Sequence, residues 1–143
     1  MPLQDLPFDL ASLHDAYADN ARAEDILAEA LRRIRALDDP GMFIHLASAD
    51  ELAAAARALG PFDPAARPLW GLPFAVKDNI DVAGMPTTAA CPDFAYLPAA
   101  DAFVVERLRA AGAIPIGKTN LDQFATGLVG VRTPYPPPRN ALD

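Results

Sequence analysis

Two short apolar runs with one helix between them constrain this chain more than anything else in it. Residues 72–76 are bounded by Gly71 on one side and by Lys77, Asp78 and Asn79 on the other, and residues 113–117 follow Gly112. Runs of that length between breakers read as buried strands. Between them, residues 101–111 have helical spacing, with Val104, Val105, Leu108 and Ala111 inward and Gly112 as the stop. Strand, helix, strand over a short crossover predicts a parallel pair and an α/β fold. Pro115 removes a ladder donor from the second run, so an edge or a bulge is expected there. Residues 85–90 read as a weaker strand or a loop.

Upstream, the pattern is helical. Residues 9–18 form a short helix with Leu10, Leu13 and Tyr17 on one face. Residues 23–37 form a clearer one, striped by Ile26, Leu27, Ala30, Leu31, Ile34 and Leu37. Its acids Glu24 and Asp25 stand at the start and its arginines at the end, as the helix dipole favours. Glu24, Asp25 and Glu29 are read as a solvated face. Residues 42–46 suit a short strand, and Ser48-x-x-Glu51 is a capping-box pattern opening an Ala-rich helix that stops at Gly60-Pro61. Residues 61–70 hold three prolines and read as an irregular connector. Asn120 is placed to cap a helix over 121–125, while residues 132–139, with four prolines, exclude regular structure. The reading is therefore a single domain or part of one: a helical lead-in over 1–60, a connector over 61–70, and the start of an α/β core over 71–143.

Charge narrows the partners. A net charge of −7 without a basic stripe argues against nucleic acid, whose phosphates would be repelled. No run nears the roughly eighteen apolar residues that a membrane-spanning helix needs. A single cysteine and a start without a basic, then apolar, leader predict a reducing, cytoplasmic setting.

Few residues could carry chemistry. The histidines are His14 and His45 and the serines Ser12 and Ser48, all in the first third of the chain. His14 and His45 lack acidic or histidine partners at ligand spacing, so neither reads as a metal ligand. Ser48 reads as a cap, Ser12 as a helix residue, and Cys91 as an ordinary thiol. Gly112 to Thr119 satisfies G-x-x-x-x-G-K-[ST], a phosphate-loop spacing. Its middle residues are apolar strand formers and its first glycine ends a helix, so the N–H groups would serve a sheet ladder and not a phosphate. Lys77 is the remaining candidate. It lies at the C-terminal end of an expected core strand, where ligand sites of α/β sheets gather. Partial desolvation there would disfavour its charged form and suit a general base. The plain alternative is a lysine reaching out at a strand end, paired with Asp78.

The stretch Gly71-Leu-Pro-Phe-Ala-Val-Lys77-Asp-Asn-Ile-Asp-Val-Ala-Gly84 resembles the lysine segment of the amidase-signature family. Gly117-Lys-Thr-Asn-Leu-Asp-Gln-Phe-Ala-Thr-Gly127 resembles that family's next shared block at the proper distance. With Pro86-Thr-Thr-Ala-Ala-Cys-Pro92 between them, the blocks cover about half the chain. The segments 86–92 and 122–130 are most similar to the allophanate hydrolases within the family. The resemblance implies an amidase-signature fold, of which this chain holds the N-terminal portion: a mixed sheet covered by helices and preceded by N-terminal helices. It also implies a Ser–cis-Ser–Lys set in which Lys77 relays a proton through a bridging serine to a nucleophilic serine that attacks an amide carbonyl. Allophanate (urea-1-carboxylate) would yield ammonia and carbon dioxide, with no cofactor and no metal. By similarity Gly127 lies near the substrate.

The resemblance also implies an incompleteness. The family's Gly/Ser-rich block follows a Pro-Arg-Asn segment matched by residues 138–140, and the chain stops at Asp143. Tyr135-Pro-Pro-Pro replaces the tyrosine-glycine usual there. With no serine after Ser48, the chain is expected to be truncated and inactive alone. Its expected partners are a small-molecule amide in the full-length form, and a second copy or a complementing C-terminal half. Three alternatives stand beside this reading: another amidase or the A subunit of an amidotransferase; a non-catalytic complementing chain; and a nucleotide-binding module using residues 112–119.

Overall fold

β3 (Ile114–Thr119) is the central strand of a three-stranded mixed sheet in the computed structural model, which describes residues 2–140 and 142. β1 (Phe43–Leu46) pairs with it antiparallel and β2 (Pro73–Lys77) pairs with it parallel. α4 (Phe103–Ala110) lies in the crossover between β2 and β3, so the expected strand–helix–strand unit is present. α1 (Leu10–Ala18), α2 (Ala23–Leu37) and α3 (Ala49–Ala58) precede the parallel pair.

Two of the helices, α1 and α3, start at side-chain caps. Asp9 accepts the Ser12 N–H at 2.9 Å and so begins α1. Ser48 and Glu51 form the complete capping box of α3, the Ser48 N–H donating to Glu51 Oε2 at 2.8 Å. α2 ends at Asp38, which adopts the left-handed conformation.

The main core lies between these helices and one face of the sheet. Leu13 and Tyr17 of α1, Ile26, Leu27 and Leu31 of α2, and Leu52 and Ala56 of α3 enclose Trp70, Ile114 and Ile116. Each large aliphatic buried here contributes about 1.5–3 kcal/mol. Trp70 meets Tyr17 and Phe62 edge to face, Tyr17 at 4.8 Å between centroids, and Tyr17 and Phe62 pack at a tilt. The Tyr17 hydroxyl donates to the Gly71 carbonyl at 2.8 Å, tying α1 to the entrance of β2. A Cβ at Gly71 would sit 2.6 Å from that same hydroxyl, and φ there is +72°, so the turn requires glycine. A second cluster, Val76, Val82 and Val105, occupies the opposite face with Phe74 against it.

The bulge expected from Pro115 is present although the strand is central. Phe74 is opposite Pro115 and Ala75 opposite Gly117, so one extra residue enters β3. This shift breaks the alternation. Ile114 and Ile116 face the helices, whereas Lys118 comes opposite Val76 on the other face.

Four expectations are corrected. β2 is an edge strand among the described residues, and only Val76 in it is buried, because one side of it carries no covering element. Val104 is exposed, since the short α4 turns only Val105 fully inward. Residues 121–125 make no helix capped by Asn120. They form a single 3-10 turn, Gln123–Ala125, with Phe124 at φ 51°. Asn120 instead donates to the carbonyls of Gly41 and Pro136, both at 3.1 Å, and accepts from Leu121 N and Thr133 Oγ1. Glu29 is not solvated. It is buried against Arg32 and Arg33, whose hydrogen bonds hold its carboxyl down at about 2.

Candidate active site

The ends of β2 and β3 define the site. Lys77 is the last residue of β2 and stands opposite Thr119, the last residue of β3. The ladder continues one step, with Asp78 N donating to Thr119 O at 3.1 Å. Beyond it the chain turns sharply, Ile80 N donating back to Lys77 O at 2.9 Å.

Asp78 is fully buried, and its polar atoms are directed at a neighbouring loop. Its Oδ2 accepts from Thr88 N at 3.0 Å and from the Thr88 hydroxyl, and its carbonyl accepts from Ala89 N at 3.1 Å. Its Oδ1 meets Lys118 Nζ at 3.0 Å, an ion pair not aligned as a hydrogen bond. The Lys118 amine donates to Pro86 O and to Thr87 Oγ1, both at 3.0 Å. Thr87 in turn donates to Asp81 at 2.8 Å, and Tyr96 donates to the same oxygen at 2.7 Å. The Asp81 carboxylate pushes the Tyr96 hydroxyl above its ordinary value. Both members of the Lys118–Asp78 pair have no exposed side-chain surface. A buried charge of this kind is tolerated only when paired and hydrogen-bonded.

Two further loops close around this knot. Phe124 N donates to Ala89 O at 3.0 Å and Gln123 Nε2 to Ala90 O at 3.0 Å, so the segment after Asn120 rests on residues 88–90. Ala89 and Ala90 both have positive φ, which the bonds on either side enforce. Asp122 gathers three backbone donors: Arg132 N at 2.6 Å, Gly130 N at 3.0 Å and Val129 N at 3.1 Å. Those bonds, that from Arg132 foremost, lower its carboxyl below the usual range. Gly127 is half-buried in the same loop, and a Cβ there would strike the Asp122 carboxylate.

Lys77 itself departs from expectation. Its place at a core-strand end predicts a partly desolvated amine, yet its side chain is exposed. Period-two alternation explains this: Val76 turns into the apolar cluster and Lys77 turns to the other, uncovered side. Asp78, the partner that a strand-end lysine would take, is occupied by Lys118. Lys77 and the Asn120–Gly127 segment nonetheless share one rim, joined through Thr119 and through the Asp78–Ala89–Phe124 hydrogen bonds.

The other candidates are dispersed. Ser48 is a helix cap, Ser12 bonds Asp9, His14 packs edge to face on Phe62 at 5.8 Å, and His45 lies on β1 opposite Lys118. Cys91 is half-buried, its N–H donating to Thr88 O. The phosphate-loop spacing at residues 112–119 lies in a strand, as its apolar middle predicts. Among the described residues no group of His, Cys, Asp or Glu is arranged to hold a metal ion. Sequence reasoning misses Asp78, Thr87, Thr88 and Lys118 as a unit. The signal is a lysine next to an apolar strand run, which demands a buried acid somewhere else in the chain.

The family described as Amidase matches residues 25–143. The urea amidolyase of Saccharomyces cerevisiae is 75% identical over 68 residues, which are 48% of this chain and 4% of that protein. The glutamyl-tRNA(Gln) amidotransferase A subunit of Nitratidesulfovibrio vulgaris is 43% identical over 139 residues, 94% of this chain and 28% of that one. The solved Kluyveromyces lactis allophanate hydrolase superposes with a TM-score of 0.74 at 42% identity, covering 90% of this chain and 22% of that chain. The chain thus spans less than a third of the length of the relatives it matches. With most of its length inside the matched region, and with the mixed sheet and helices that its structural neighbours share, the chain belongs to the amidase family.

Proposed function

We propose that this chain supplies the lysine half of an amide-hydrolysing site, with Lys77 as the acid–base group and allophanate as the substrate. The observation that carries the reading is the position of Lys77. It ends a strand, on a rim shared with the Asn120–Gly127 segment, within the stretches that resemble the amidase lysine block. In the proposed reaction Lys77 takes a proton through a bridging serine as a second serine attacks the carbonyl; that proton returns to the amide nitrogen, the C–N bond breaks to release ammonia, and water then hydrolyses the acyl-enzyme. Gly127 would flank the substrate.

The serines of this chain, Ser12 and Ser48, are engaged at the starts of α1 and α3 and not on this rim, so the reading takes both hydroxyls from polypeptide outside these 143 residues. An amine accepts a proton only when uncharged, which a covered site favours. Because Lys77 is open here, the serine-bearing polypeptide must also cover it. Such an enzyme would act in the cytoplasm.

A second reading has its own support. The amidotransferase relative matches 94% of this chain against 48% for the yeast urea amidolyase. The higher identity of the latter, 75% against 43%, favours allophanate.

The test is ammonia release. The isolated chain should release none from allophanate above the uncatalysed rate. Joined to its serine-bearing continuation it should release ammonia from allophanate and not from glutamine. Lys77→Ala should lower that activity about 10²–10⁴-fold. Activity of the isolated chain, or full activity of Lys77→Ala, would remove the lysine assignment, and preference for glutamine would select the amidotransferase reading.

A further inference from the structure

We propose that the buried Lys118–Asp78 ion pair is the positioning device of this site: it fixes where β2 ends, and therefore where the Lys77 amine is presented. The inference rests on the reading of Lys77 given above, and it assigns a role to two residues that do not touch substrate.

Asp78 directly follows Lys77, and its polar atoms are engaged from three directions. The backbone N–H is held by β3 through Thr119, the carbonyl by Ala89, and the carboxylate by Thr88 and Lys118. The adjoining Lys77 carbonyl is held by Ile80 N. The main chain on both sides of the Lys77–Asp78 peptide is thus immobilised, while the Lys77 side chain remains open to reagents. Lys118 is the member that joins the parts. From β3 it reaches Asp78 on β2 and both Pro86 and Thr87 in the loop that carries Ala89, on which Phe124 rests. Strand, loop and rim segment are therefore referenced to one ammonium group.

A purely stabilising role predicts something different from a positioning one. Burying two charges costs desolvation, and an apolar pair of similar volume often stabilises as well or better. A device kept only for stability could be replaced by such a pair without loss of turnover. A device that sets direction could not, because a misplacement of about 1 Å at a reacting group costs on the order of 10²-fold in rate.

The experiment uses the enzyme completed with its serine-bearing polypeptide. Lys118→Met with Asp78→Asn removes both charges together and avoids the unpaired carboxylate left by Lys118→Met alone. Thr87→Val removes one hydrogen bond from the Lys118 amine and is the milder second variant. Thermal unfolding reports folding, and kcat and KM for allophanate are measured separately. The expected result is a folded double variant with kcat lowered about 10²-fold and KM changed less than about threefold, and Thr87→Val intermediate in kcat. A folded double variant with kcat within twofold of the parent overturns the proposal, as does a loss confined to KM. If the double variant does not fold while Thr87→Val folds with unchanged kcat, the pair serves the fold alone and the proposal also falls. Lys77→Ala separates the two ideas: full activity there defeats the assignment of Lys77, whereas inactivity there beside a fully active double variant defeats only the positioning role.

Discussion

Lys77 and Lys118 lie on neighbouring, parallel strands one register step apart, yet they occupy opposite environments. Lys118 is sealed, paired with Asp78 and hydrogen-bonded to Pro86 and Thr87. Lys77 is exposed on an edge strand, and its neighbouring acid is already taken. The difference teaches that proximity to an apolar run does not decide whether a lysine is buried. What decides it is which face the strand presents and whether a carboxylate waits on that face. The bulge in β3 sets the face for Lys118, and plain alternation sets it for Lys77.

The contrast is broken most directly by removing each amine in turn. Lys118→Met leaves Asp78 buried without its counter-charge and should destabilise the protein by roughly 3–5 kcal/mol. Lys77→Met should stay within about 0.5 kcal/mol. Urea unfolding of the two variants side by side checks this, and equal losses would mean that the two sites are not as different as their burial indicates. A smaller effect sharpens the role of the bulge. A Cβ at Gly117 would lie 2.5 Å from His45 O and 3.0 Å from the Phe43 ring, so Gly117→Ala should cost about 1–3 kcal/mol through overpacking. A thermal midpoint unchanged by that substitution would show that β1 can yield there.

The smallest effect concerns acid. The Asp122 carboxyl is depressed by its backbone donors, so its contribution to the rim is complete above its unfolded value of about 4 and fades as pH falls through the lower folded value. Amide exchange at Val129, Gly130 and Arg132 should therefore accelerate, relative to the intrinsic rate, below about pH 4. Amides of β3 should respond much less over the same range, and parallel acceleration in both would erase the distinction between rim and sheet.

Much of this fold can be read from residues alone because its signals are local. The apolar stripe of α2 and the capping box at Ser48 each depend on residues within a few turns of one another, and the parallel pair, though Pro73 and Ile114 are far apart in the chain, is announced by two compact apolar runs flanking α4. The bulge at Pro115 belongs to the same class, since a missing N–H is visible in the sequence. The misreadings share an opposite cause. Asn120 has the look of a cap, but its amide is spent on Gly41, a partner 79 positions away. Glu29 looks solvated because its arginines are also what cover it. Helical spacing places Val104 inward, although α4 covers the sheet with little more than Val105. At the site, Lys77 can be singled out by its place at a strand end. The Lys118–Asp78 pair cannot, because no local pattern ties the two side chains: their meeting depends on the bulge in β3 and on the loop that carries Thr87.

The hydroxyl of Tyr17 adds one more consequence. The family match begins at residue 25, yet Tyr17, eight positions earlier, holds the carbonyl of Gly71 where β2 begins, and it packs with Leu6 and Leu13 in the same core. A polypeptide trimmed to residues 25–143 would leave Trp70 and Phe62 without the Tyr17 ring and the entrance of β2 without its anchor. The strand that ends in Lys77 is thus anchored at its start by a helix that the family match leaves out, although the amidotransferase relative, aligned to 94% of this chain, reaches into that helix as well.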